Sequence, residues 1–111
     1  MGVQKDAGEL LAFIYKELVE DENSAIYGGI SSSTIEKETT WNKHRIDLAF
    51  NYLNDFGVFK ANEYVGGNFV IVRLYPKGIN IIENQPEFKR NFGFSIGIPS
   101  LFQFSWGATE Q

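Results

Sequence analysis

Lys43, His44 and Arg45 stand together at the head of TTWNKHRIDLAFNYLNDFGVF, residues 39–59. Three consecutive cationic-type side chains opening a helix suit contact with an anion, above all nucleic-acid phosphate. Cations in a first turn oppose the helix dipole by about 0.3–1 kcal/mol each. A purely structural helix gains nothing from them, whereas one facing phosphate does. Enzyme chemistry has fewer candidates. The chain has no cysteine and one histidine, so thiolate nucleophiles and multi-histidine metal sites are excluded. His44 has no Ser-plus-acid motif nearby. Gly28-Gly29 and Gly66-Gly67 read as turns, not phosphate cradles. Glu36 and Glu38 do not share a helix face. Glu20, Asp21 and Glu22 lack calcium-loop spacing. The expectation is a non-enzymatic protein without cofactor or metal.

Charge is unevenly placed. The 111 residues carry a formal net charge of −4. Residues 1–39 set Lys5, Lys16 and Lys37 against eight acids. Residues 40–60 hold Lys43, Arg45 and Lys60 against Asp47 and Asp55, the only net-positive block. Apolar content of 43% suffices for one globular domain. No secretory leader and no membrane-length apolar run is evident, so a cytoplasmic protein is expected.

The elements that position the cationic run follow from periodicity. Asp6-Ala7-Gly8-Glu9 reads as a capping box starting a first helix near Asp6, with Leu10, Phe13, Ile14 and Leu18 at helical spacing. Acids and Gly28-Gly29 end it. Ser33-Thr34-Ile35-Glu36 reads as a capping box for a short helix over 33–39, followed by a turn at Thr39-Thr40-Trp41. A third helix over about 42–56 buries Ile46, Ala49, Phe50 and Leu53, and stops at Gly57. VFKANEYV and NFVIVRLY form a hairpin through Gly66-Gly67-Asn68. In its second strand Phe69, Ile71 and Arg73 share one side. Val70, Val72 and Leu74 share the other, which predicts cover on both faces. Pro76 opens a fourth helix holding Ile79, Ile81 and Ile82. Residues 91–107 carry no charge, and Phe92, Phe94, Ile96 and Ile98 alternate, as do Phe102, Phe104 and Trp106. Period two predicts extended strands.

Helix, short helix, helix, hairpin is an order with a known likeness. STIEKETTWNKHRIDLAFNYLNDFGVF resembles the helix-turn-helix of winged helix-turn-helix domains of the small prokaryotic regulator type. LYPKGINIIEN resembles the segment after the wing, where "T-x-K-G" opens a closing helix; here Tyr75 holds the threonine position. The likeness covers about residues 6–84. It implies an α+β fold with a three-helix core, a β-hairpin wing and a closing helix. Residues 1–90 would form this domain, and 91–111 an apolar extension packed on it or on a dimer partner.

The resemblance further implies a transcriptional regulator that binds double-stranded DNA as a homodimer, with the third helix in the major groove. On that reading Asn51 pairs with adenine, His44 or Arg45 with guanine, and Thr40, Asn42 and Lys43 meet phosphate. The alternative is a winged-helix module for protein contact. Asp47 and Asp55 flank the reading face, and the wing tip EYVGGN has no Lys or Arg. Trp41, Leu48 and Tyr52 suit a protein partner, although Trp41 also fits a turn anchor. Phe94, Ile96, Ile98, Phe102, Phe104 and Trp106 would add a second contact surface.

Overall fold

The computed structural model describes residues 2–20 and 29–96. Five α-helices and a three-stranded antiparallel sheet make an α+β fold over these residues. Their order is compatible with a winged-helix topology. Helix α1 spans Val3–Tyr15 and runs into a π-helical turn at Lys16–Glu20. Strand β1 is Ile30–Ser31, followed by α2 at Ser32–Thr39 and α3 at Lys43–Phe56. Strands β2, Phe59–Glu63, and β3, Phe69–Leu74, form the hairpin. Helices α4, Pro76–Glu83, and α5, Gln85–Phe92, close the chain's described part.

Helix α1 supplies the centre of the core. Leu10, Leu11 and Ile14 are fully buried, and Leu18 packs at the edge of the same cluster. The helix starts three residues before Asp6, and its N-cap, Gly2, makes no side-chain hydrogen bond. Asp6 and Glu9 are therefore interior residues of α1, both buried. Each takes a cation instead of a backbone N–H. Lys5 Nζ donates to Glu9 Oε2 at 2.6 Å, and Arg45 holds Asp6. A charge-assisted bond outweighs a cap, and this corrects the expected start.

The α2–α3 connection is built from hydroxyls. Ser31 is the N-cap of α2, and its Oγ accepts from Thr34 N–H at 3.2 Å, two residues before the expected Ser33. At the other end the buried Thr39 hydroxyl donates to the Ile35 carbonyl at 2.7 Å and accepts from Trp41 N–H at 3.0 Å. Thr40 takes the left-handed conformation, φ 61°. Asn42 then caps α3, its Oδ1 accepting from Arg45 N–H at 2.9 Å. Ile46, Ala49, Phe50 and Leu53 are buried as the spacing predicts, and Gly57 ends the helix at φ 79°. Lys77 Nζ donates to the terminal Phe56 carbonyl at 2.8 Å, a cation where the dipole favours one.

The sheet has the order β1-β3-β2, so β3 is central. The short β1 was not expected; Ile30 pairs with Ile71 and Ser31 with Val70. Lys60 faces Arg73, but Ala61 faces Ile71, which leaves Val72 as a bulge. The extra residue shifts the side-chain phase. Phe69, Ile71 and Leu74 all turn inward, and Arg73 turns out to solvent. Val70 and Val72, on the other face, are half-buried, so that face is covered only in part.

Gly78, in the closing helix, is required by packing. A Cβ there would lie 2.7 Å from the Val58 carbonyl oxygen. Helix α5 was not expected either. Asn84 caps it, accepting from Glu87 N–H at 3.2 Å, and Phe88 and Phe92 are its buried face. Phe92 is thus helical, and residues 93–96 form no strand. The alternating Phe92, Phe94 and Ile96 pack as a helix end and a turn. Ile98, Phe102, Phe104 and Trp106 lie outside the described residues.

Candidate interaction surface on α3 and the hairpin

The first turn of α3 decides what this face can bind. Arg45 reaches back to α1. Its Nε–H donates to Asp6 Oδ2 at 2.8 Å and its Nη2–H to Asp6 Oδ1 at 2.9 Å, a bidentate pair. The same guanidinium lies 4.3 Å from the Trp41 ring centroid. Trp41 is itself 3% exposed. Asp6, Arg45 and Trp41 therefore form one stack that docks α1 on the turn before α3. Arg45 is committed to the fold, and Trp41 is an anchor of the turn rather than a contact surface.

Lys43 is also engaged. Its ammonium donates to Asp47 Oδ1 at 2.9 Å and Oδ2 at 3.1 Å, and to the Gly67 carbonyl at 2.9 Å. It ties the hairpin tip to α3. Of the three consecutive residues, His44 alone turns an uncommitted side chain outward among the described residues. Asn42 spends its Oδ1 on the cap, and the Thr40 hydroxyl donates to the Thr39 carbonyl. Thr40, Asn42 and Asn51 remain exposed.

Asn51 lines a cleft between α3 and the hairpin. The cleft measures about 190 Å³, with Asp47, Phe50, Glu63, Gly67 and Phe69 as its other walls. Two carboxylates there make it unfavourable to phosphate. Leu48 is 40% and Tyr52 38% exposed, one turn apart on α3. At the hairpin tip Tyr64 is 55% exposed and Val65 fully so.

The tail's described residues do not join this surface. Phe94 meets Phe88 edge-on at 5.3 Å, with Lys5 Nζ 5.2 Å from its ring. Ile96 is buried, and its N–H donates to Gln85 Oε1 at 2.9 Å. Both pack on their own chain. Tyr64, Val65 and Glu63 were not among the expected contact residues. Two large apolar side chains beside a Gly-Gly turn were the signal that could have found them. Among the described residues no group of three His, Cys, Asp or Glu could hold a metal ion, and no helix is long and apolar enough to cross a membrane. Comparison with family models, with curated proteins and with solved structures finds no match for this chain.

Proposed function

We propose that this chain is a winged-helix domain that works as a protein-binding module, through the outer face of α3 and the hairpin tip. One observation carries the reading: both permanent cations of the first turn of α3 are bound within the chain. Arg45 is held by Asp6, and Lys43 by Asp47 and Gly67. A DNA reader needs such cations free for phosphate. The large apolar side chains that α3 and the hairpin leave exposed are Leu48, Tyr52, Tyr64 and Val65. Exposed aromatic and aliphatic side chains at a charge-poor centre are the composition of protein interfaces.

The competing reading, a DNA-binding regulator, draws on Thr40, Asn42, His44 and Asn51, which remain exposed along α3 and its preceding turn. Two measurements separate them. A photo-crosslinking residue at Val65 of the full chain, expressed in cells, is expected to give a discrete protein adduct. Leu48→Ser/Tyr52→Ser should abolish it without unfolding the domain. In parallel, the full chain is tested against a pool of genomic duplex fragments at low and physiological salt. Sequence-selective, salt-dependent binding that is lost in His44→Ala/Asn51→Ala would overturn the protein-contact reading.

A further inference from the structure

The cleft between α3 and the hairpin has an apolar floor and acceptor walls. Phe50 and Phe69 form the floor, their rings stacked with centroids 3.8 Å apart. Asp47, Asn51 and Glu63 stand around it. Asp47 is neutralised by Lys43. Glu63 has no hydrogen bond or ion pair among the described residues, and neither does the Asn51 side chain. The lining thus has an excess of negative charge and two unused acceptors. At about 190 Å³ the cleft is below the ≈ 300 Å³ where small-molecule pockets begin. It suits one side chain better than a metabolite.

The geometry points to an arginine side chain of the partner protein as the occupant of this cleft. The inference rests on the protein-contact reading and names the partner's chemistry. A guanidinium presents a planar fork of donors, which fits the Glu63 carboxylate and the Asn51 carbonyl oxygen together. Lys43 fills the Asp47–Gly67 side of the rim, which leaves the Glu63–Asn51 side to the guanidinium.

The test is an NMR titration of the full-length chain with a short arginine-only peptide, a glutamate-only peptide and a DNA duplex. The arginine peptide is expected to shift the Asn51 side-chain amide and the backbone amides of Glu63 and Gly67. Glu63→Gln should weaken its binding by about two- to fivefold, the scale of one lost exposed charged contact. Glu36→Gln, an exposed acid on α2, should leave it unchanged. The assignment is overturned if the shifts spread over all exposed acids, or if the two variants behave alike. If the cleft is silent but Leu48→Ser/Tyr52→Ser still abolishes the crosslink at Val65, the arginine assignment alone falls. If the duplex shifts the α3 face in a salt-dependent way, the protein-contact reading falls with it.

Discussion

Removing Arg45 tests whether its charge serves the fold or a ligand. Arg45 makes two charge-assisted hydrogen bonds to Asp6, and the two side chains are 21% and 7% exposed. Losing one partner of a fully buried pair costs about 3–5 kcal/mol. Partial exposure of the arginine lowers this, so Arg45→Ala should cost about 2–3 kcal/mol, including the stacking on Trp41. That is about 10 °C in midpoint for a chain of this size. The two single variants are not equivalent. Arg45→Ala strands a buried carboxylate. Asp6→Ala leaves a cation that can turn to water and still stack on Trp41. Arg45→Ala should therefore be the more damaging, and Asp6→Ala/Arg45→Ala should recover part of the loss. Urea and thermal unfolding of the four proteins close the cycle, with an expected coupling of about 1.5–2 kcal/mol. Unchanged stability in Arg45→Ala would refute the reasoning, as would a double variant that simply sums the singles.

Three further substitutions test local claims. Ser31→Ala should destabilise by about 1 kcal/mol and Ser33→Ala by much less, because Ser31 caps α2; equal effects in urea unfolding would move the cap. Gly78→Ala should cost about 1–3 kcal/mol, since the added methyl meets the Val58 carbonyl oxygen; a neutral result would mean that α4 shifts freely. Lys43→Met should speed amide hydrogen exchange across Tyr64–Asn68, because the ammonium ties Gly67 to α3, and unchanged exchange there would deny the tether.

Much of the fold was legible where one local signal determines one element. The stripe Ile46, Ala49, Phe50 and Leu53 could bury only one way, and Gly57 fixed its end. Helix α4 followed from Pro76 and its isoleucines. Legibility failed where two local signals competed or where the deciding partner was distant. Three consecutive serines, Ser31 to Ser33, precede Thr34, and the backbone uses as its cap the one that also ends β1. Asp6 and Glu9 imitate a capping box, but their partners are Arg45 and Lys5. Nothing local marks Asp6 as the partner of a residue 39 positions away. Val72 as a bulge is equally silent, since an unbroken alternation reads as a regular strand until pairing is known. Helix α5 was hidden by its charges, although Asn84 followed by Glu87 is a cap signal.

The same long-range pairing changes the meaning of the cationic run. Cations at a helix start oppose the dipole unless an anion meets them. The acids that reward them are already in the chain: Asp6 from α1 for Arg45, and Asp47 from the next turn for Lys43. The dipole penalty is offset without a ligand. The excess of acids over bases in residues 1–39 therefore bears on the fold as well as on solubility, because one of those acids is the counterion of α3. A helix whose charges are matched internally is left to bind through what remains unmatched. On α3 and the hairpin, that remainder includes Leu48, Tyr52, Val65, His44, Asn51 and the Glu63 carboxylate.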